Sequence, residues 1–304
     1  MRSRTLGSTG LRVSEIGMGC ASYWGLPRFD ESAAIRLVHE ALDRGVTFFD
    51  TGASYSRGEA EPRLGRALAG RRDDALVVAT KAGTRHTGGG RIVRDFSPQG
   101  LEASILASLR NLGLETLPLL QLHGPAVQEL EERLIESLER LRARGLFRAL
   151  GVNSFDPAVI EAAIGLPSFD VVMVDYNVMR PEREPLIARA AAAGKGVLAG
   201  MALAMGHPGR QVASLRGPQD IWYALRALKN HRADIVRGAK FGFLDAVPGM
   251  TVAQAALAFV LANPNVACAV TGTTRLPHLL DNIAASGMEL PSEALARIRA
   301  AQAG

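Results

Sequence analysis

Phe48-Phe49-Asp50-Thr51-Gly52-Ala53-Ser54-Tyr55 places a carboxylate and a phenol at the end of an apolar run. Val46-Thr47-Phe48-Phe49 reads as a strand, so Asp50 stands at its C-terminal end and Tyr55 in the turn beyond. The arrangement recurs downstream. Lys81 follows Ala75-Leu76-Val77-Val78-Ala79, and His123 follows Leu119-Leu120-Gln121-Leu122. Each run comes roughly one βα unit after the last. In a parallel α/β barrel, residues at strand C-termini converge on one face, where the chemistry happens. The spacing therefore predicts a (β/α)8 TIM barrel whose active face carries Asp50, Tyr55, Lys81 and His123.

The rest of the chain alternates in the same way. Candidate strands are 16–19, 46–49, 75–80, 117–122, 147–152, 169–174, 196–199 and 266–270. Helical periodicity falls between them, over 32–43, 61–69, 98–112, 127–144, 157–164, 183–193, 251–262 and 277–285. Asp30 and Asp156 stand where N-caps belong, and Gly45, Gly70, Gly113, Gly145 and Gly194 where helices stop. Repeated βα units favour a closed barrel over an open sheet. No Pro/Ser-rich linker divides residues 1–304, which read as a single domain.

Two segments fall outside the repeat. Arg4 to Val13, with Gly7-Ser8-Thr9-Gly10 between short apolar stretches, reads as an N-terminal β-hairpin that plugs the lower mouth of the barrel. Gly206 to Met250 forms a long insertion after strand seven, with a helix expected over Pro218 to Lys229. Insertions on this face shape substrate pockets. The Thr84 to Ser97 loop, with Gly88-Gly89-Gly90, reads as a mobile lid.

Composition narrows the function classes. An apolar fraction of 47% is enough for a large core. Cys20 and Cys268 give no disulfide framework, which points to a reducing, cytoplasmic setting. The N-terminal residues carry no apolar signal stretch, and the longest apolar run, Ala255 to Ala262, is too short to span a bilayer. The net charge of +5 is dispersed, without a dense Lys/Arg run, so neither membrane nor nucleic acid is an expected partner. The histidines show no metal-ligand spacing, and there is no nucleophile elbow or P-loop. Gly17-Met18-Gly19 lacks the third glycine of the dinucleotide fingerprint, so a hydride cofactor would bind through barrel loops. The expected partner is a small molecule. Oligomeric state is not legible.

The four polar residues make sense as a proton-transfer unit. A free tyrosine has a pKa of about 10 and is a poor acid at neutral pH. A neighbouring lysine cation favours the phenolate and lowers that value. A buried carboxylate holds the lysine charged and aimed. Tyr55 is then the acid, Lys81 its tuner and Asp50 the anchor. His123 would donate to the substrate oxygen or share its proton. Taken singly, Asp50 and Lys81 read as structural ion-pair members and His123 as a satisfied strand-end residue. Together, at the ends of consecutive strands, they read as a site.

These residues resemble the aldo-keto reductase superfamily, over nearly the whole chain. The likeness rests on Arg4 to Ser14, on Phe48 to Tyr55 with Glu61 and Leu64-Gly65, on Thr80-Lys81, on Leu122-His123-Gly124-Pro125 and on Ala149 to Phe155. Gly272 to Asn282 resembles the family's terminal segment, which holds the cofactor's adenosine phosphate. The resemblance implies a (β/α)8 barrel, extended NAD(P)H binding and carbonyl–alcohol interconversion. It implies cofactor contacts from Asn153, Ser154, Met173, Gly200, Gly272, Thr273, Arg275, His278, Asp281 and Asn282. The departures fall on the cofactor side. Asn153-Ser154 stands where Ser-Asn is common, Met173 where a glutamine is usual, and Gly200 where an aromatic often stacks on nicotinamide. His278 replaces an arginine or glutamine, and Pro118 an aspartate. Loss of a bidentate amide contact at Met173 is worth on the order of 1–3 kcal/mol. Arg275 is expected to favour NADP(H), with NAD(H) the alternative. Trp24, Phe29, Trp222 and Tyr223 are candidate pocket aromatics. Two other classes stay open: a slow-turnover regulatory binding barrel, and a barrel performing proton-transfer chemistry such as dehydration without the cofactor.

Overall fold

The computed structural model describes residues 1–87, 91–204 and 237–303. Parallel strands close into a barrel: β1 Ile16–Gly19, β2 Phe48–Asp50, β3 Val77–Ala82, β4 Leu117–His123, β5 Phe147–Asn153, β6 Val171–Asp175, β7 Gly196–Gly200 and β8 Cys268–Thr271. Each pairs with its neighbours in sequence, and β8 returns to β1 through Ala269 and Ile16. Outside lie α1 Glu31–Asp43, α2 Ala60–Leu68, α3 Pro98–Leu112, α4 Glu132–Ala143, α5 Pro157–Gly165, α6 Glu184–Ala192, α7 Val252–Ala262 and α8 Leu276–Ala284. A further helix, α9 Ser292–Ala303, follows them. The (β/α)8 expectation holds. Asp30 caps α1 by accepting from Ala33 N at 2.7 Å, Asp156 caps α5 by accepting from Ala158 N at 2.9 Å, and Gly113 ends α3 in the left-handed region.

Strand alternation sorts the apolar residues into two layers. Ile16, Met18, Phe49, Val78, Leu120 and Leu150 belong to the layer shared with the helices. Phe48, Val77, Ala79, Leu119, Ala149 and Leu198 fill the barrel itself, which is a packed core and not a pore. Its floor is the predicted hairpin, Ser3–Thr5 against Arg12–Ser14, whose Leu6, Leu11 and Val13 join the inner cluster. Gly7 at the turn has φ +55°, and a Cβ there would come within 2.2 Å of Gly196 N. Only glycine lets the plug sit this close.

The strands run further than their apolar runs. β2 ends on Asp50, β3 includes Lys81, β4 ends on His123 and β5 on Asn153. These polar residues are members of the ladder, with Asp50 opposite Ala79, Lys81 opposite Gln121 and His123 opposite Asn153. By two-residue steps from Phe48, Ala79 and Leu119, the residues Asp50, Lys81, Gln121 and His123 face the same interior, at its C-terminal mouth.

One expectation is corrected, and two elements are new. The helix expected over 127–144 divides into a 3-10 turn, Val127–Glu129, and α4, because Leu130 leaves helical geometry at ψ 44°. The helix α9 went unread. The segment after β3, expected to be a mobile lid, pairs as an antiparallel arm, Thr84–His86 against Ile92–Arg94. Arg94 ties that arm to the barrel by donating to Gly124 O at 2.8 Å and to Glu129 at 2.7 Å. Gly88, Gly89 and Gly90 lie outside the described residues, as do Trp222, Tyr223 and the helix expected over Pro218 to Lys229.

Candidate active site

β2, β3 and β4 bring the four sequence-selected residues together. Lys81 Nζ donates to Asp50 Oδ1 at 2.6 Å, to Asp50 Oδ2 at 2.5 Å and to Thr51 O at 2.9 Å. The same ammonium lies 4.7 Å from the centroid of the Tyr55 ring. The His123 ring stands edge-on to Tyr55, with centroids 5.4 Å apart. Behind Tyr55 the chain is bent sharply: Ser56 and Arg57 have φ of 54° and 64°. Ser56 Oγ donates to Ser22 O at 2.6 Å and fastens this turn to the loop after β1.

Burial governs the ionisation of the group. Burial by itself would pull Lys81 down, but Asp50 and then Tyr55 outweigh it and hold the ammonium above its ordinary value. Burial pushes the Asp50 carboxyl up, opposed by Lys81 and by a hydrogen bond from Gln121. Tyr55 departs from the sequence expectation. Lys81 does pull its phenol down, but burial, with Asp50 in support, pushes harder, and the pKa lies above its ordinary value. The phenol therefore keeps its proton, as a proton donor must. His123 is lowered to about 4 by burial, then by Lys81 and Arg94, so the ring is neutral at physiological pH. Burial likewise drives the Cys20 and Cys268 thiols far up, so neither is a ready nucleophile.

A cleft of about 570 Å³ opens above these residues and runs toward the N-terminus of α8. Asn153, Met173, Gly200, Gly272, Thr273 and Arg275 all line it. Asn153 Nδ2 donates to Met173 Sδ at 2.8 Å, which leaves Asn153 Oδ1 without a partner among the described residues. Met173 takes up the room beside Gly200, where an added Cβ would meet its sulfur at 3.4 Å. The next residue, Met201, is held at φ 54° and accepts a hydrogen bond from Asn177 Nδ2 at 3.0 Å. Other resemblance-derived positions sit apart. Ser154 is buried and its Oγ accepts from Asp156 N at 3.1 Å. His278 is exposed. Asp281 accepts from Thr251 and from Gln254, both at 2.8 Å, and thereby joins α8 to the start of α7. Asn282 is buried on α8.

The donor set suits an extended nicotinamide dinucleotide. Gly19, Gly200 and Gly272 leave the cleft free of side chains at three points, and Asn153 Oδ1 is an open acceptor for a carboxamide N–H. Arg275 offers a guanidinium with no side-chain partner among the described residues, beside the first turn of α8. Trp24 lines the cleft but is almost wholly buried, donating from Nε1 to Ala34 O at 3.3 Å. Phe29 packs on Tyr23, with centroids 5.6 Å apart, and does not line the cleft, whereas Tyr23 and Phe155 do.

Sequence reasoning passed over three polar residues. Gln121 donates from Nε2 to Asp50 Oδ1 at 3.0 Å. It was visible as the one polar residue interrupting a leucine run, two positions before His123 and so on the same face. Thr84 and Ser54 contact His123 Nδ1 at 2.6 and 3.4 Å. No spacing rule selects them, because they come from separate loops. Among the described residues no helix is long and apolar enough to cross a membrane, and no cluster of side chains could hold a metal ion.

The family model described as the Aldo/keto reductase family matches residues 15–303. The chain is 28% identical over 292 residues to "Uncharacterized oxidoreductase YqkF" of Bacillus subtilis (strain 168), covering 94% of this chain and 91% of that one. It is 28% identical over 325 residues to D-threo-aldose 1-dehydrogenase of a Pseudomonas species, covering 94% and 93%. Among solved structures, the holo form of aldo-keto reductase AKR11C1 from Bacillus halodurans matches with a TM-score of 0.82 at 26% identity, covering 99% of this chain and 96% of that one.

Proposed function

The chain belongs to the aldo/keto reductase family, and from that premise we propose that it interconverts a carbonyl compound and an alcohol with NADP(H). Tyr55 is the general acid in reduction and the general base in oxidation. The observation that carries this is the Lys81 ammonium, clamped by both oxygens of Asp50 and lying 4.7 Å from the Tyr55 ring centroid.

When bound, the nicotinamide supplies or accepts the hydride. The protein's own residues manage the proton. As negative charge develops on the substrate oxygen, the Tyr55 phenol gives up its proton to it. The tyrosinate left behind is stabilised by Lys81, whose positive charge is already paid for by Asp50 and needs no new desolvation. Gln121 steadies Asp50 from below. His123, neutral, sits beside Tyr55 where a substrate oxygen would lie. Asn153, Met173 and Gly200 form the wall for the nicotinamide, and Arg275 with the first turn of α8 takes the 2′-phosphate. Among the described residues the cleft lining carries little charge apart from the catalytic group and Arg275, and the substrate class proposed is a carbonyl such as an aldehyde, ketone or sugar.

The test is a titration with NADPH and NADH followed by cofactor fluorescence, then turnover on a carbonyl panel for the wild type and Tyr55→Phe. Tight binding with turnover, reduced about 10²–10⁴-fold in the variant at unchanged cofactor affinity, is the expected result. Binding without turnover across the panel would point to a regulatory barrel. No binding at millimolar cofactor would leave proton-transfer chemistry as the better reading.

A further inference from the structure

Two hydroxyls stand behind His123. Thr84 Oγ1 lies 2.6 Å from His123 Nδ1, and Ser54 Oγ lies 3.0 Å from Thr84 Oγ1 and 3.4 Å from the same nitrogen. Ser54 immediately precedes Tyr55, and Thr84 begins the arm after β3. Both side chains are buried. Neither hydroxyl has any other hydrogen-bond partner among the described residues.

Each hydroxyl has one hydrogen to place, and a buried donor left without an acceptor is costly. The short contacts allow two directions. With a proton on Nδ1, the ring donates to Thr84, Thr84 donates to Ser54, and the Ser54 hydrogen has no acceptor. With Nδ1 bare, Ser54 donates to Thr84, Thr84 donates to Nδ1, and both buried hydroxyl hydrogens are satisfied, while the remaining ring hydrogen faces the cleft. The second direction is favoured because it orphans no buried hydroxyl. The ring is neutral, since burial, Lys81 and Arg94 lower its pKa to about 4. A neutral imidazole with a bare Nδ1 carries its proton on Nε2. Nε2 has no partner among the described residues, and the ring lines the cleft next to Tyr55.

We infer that Thr84 and Ser54 are positioning residues that fix His123 as its Nε2–H tautomer, so that the ring presents a hydrogen-bond donor to the substrate oxygen. The inference rests on the carbonyl-reductase reading for its consequence, although the tautomer can be read without turnover. A carbonyl oxygen has two lone pairs. Tyr55 O–H and His123 Nε2–H are then two donors for one oxygen, and both strengthen as charge develops there. The opposite tautomer would turn a nitrogen lone pair toward that oxygen and repel it. The charged and titratable groups around the ring are Tyr55 from the loop after β2, Lys81 from β3 with its partner Asp50 from β2, and Arg94 from the arm. Arg94 is held by Gly124 O and Glu129. Ser54 and Thr84 are the hydrogen-bond partners of Nδ1 among the described residues, so the hydroxyl pair selects the tautomer.

The test is long-range ¹H–¹⁵N NMR of protein labelled with ¹⁵N-histidine at neutral pH, with the His123 signals identified by their loss in His123→Asn. The expected wild-type spectrum has an unprotonated Nδ1 and a protonated Nε2. Thr84→Val should shift the Nδ1 signal toward the protonated position, and Thr84→Ser should restore it. On a turned-over carbonyl, Thr84→Val should lower kcat about five- to tenfold with cofactor affinity unchanged. A wild-type ring protonated on Nδ1 overturns the inference, and that measurement needs no variant to fold. Unchanged ring signals in a folded Thr84→Val overturn the role of Thr84. An Nε2–H ring in a protein that reduces no carbonyl would uphold the tautomer and overturn the reductase reading instead.

Discussion

Lys81 Nζ donates to both carboxylate oxygens of Asp50, at 2.6 and 2.5 Å, with Lys81 wholly buried and Asp50 almost so. The pair crosses from β3 to β2 just above the packed interior of the barrel. Both charges were taken out of water, which costs several kcal/mol each before their attraction offsets it. Removing one partner strands the other. Lys81→Met should therefore destabilise the fold by about 3–5 kcal/mol, and Lys81→Met with Asp50→Leu should recover most of that loss. Both proteins should be inactive. Urea denaturation of the two variants against wild type decides it. A single variant as stable as the wild type would mean that the pair is solvated.

His123 links stability to pH. Its folded pKa of about 4 lies below the ordinary 6.5. The unfolded chain therefore binds this proton in a window where the native one does not. Its contribution is fully present above pH 6.5 and is lost as pH falls toward 4. The full effect is on the order of 3 kcal/mol. His123→Asn should flatten the fall in stability across that window, measured as urea midpoints at several pH values. An unchanged slope in the variant would show that His123 does not sit buried and neutral.

The apolar runs made the barrel legible. Short apolar runs with helical stretches between leave few other architectures, and the hairpin plug was visible in Gly7-Ser8-Thr9-Gly10 flanked by Leu6 and Leu11. Asp50, Tyr55, Lys81 and His123 were legible because strand C-termini share one face. The direction of the Tyr55 shift was not, because sequence names the neighbouring lysine but not the desolvation that outweighs it. Thr84 and Ser54 stayed hidden because their contact with His123 joins two loops. The antiparallel pairing after β3 was not legible beside Gly88-Gly89-Gly90 in the sequence, whereas its anchor, Arg94 on Gly124 and Glu129, lies in the flanking sequence.

The hairpin floor offers a control far from the chemistry. Leu6 is fully buried in the inner cluster and packs against the start of β7 at Gly196. Leu6→Ala should cost about 2–5 kcal/mol through the cavity it leaves. It lies at the N-terminal mouth of the barrel, where residues serve stability, so kcat and cofactor affinity should stay unchanged at temperatures where the variant is folded. A kcat that fell with Leu6→Ala would mean that the floor sets the position of the catalytic strands.

The proposed preference for NADP(H) turns on Arg275. It is exposed, lines the cleft and stands at the N-cap of α8. The first turn of a helix has free N–H groups and a positive dipole end, both favourable to phosphate. Arg275 adds a mobile cation there, and nothing among the described residues competes for its guanidinium. A 2′-phosphate would gain a charge-assisted contact that NAD(H) cannot make. NADPH should therefore bind more tightly than NADH, and Arg275→Ala should weaken NADPH binding about tenfold while barely changing NADH binding. Because the contact is solvent-exposed, raising the salt should narrow the wild-type preference and leave the variant's nearly constant. Fluorescence titration of both cofactors at low and high salt reads all of this. Equal losses for the two cofactors would make Arg275 a structural residue, and a wild type that prefers NADH would place the phosphate contact elsewhere.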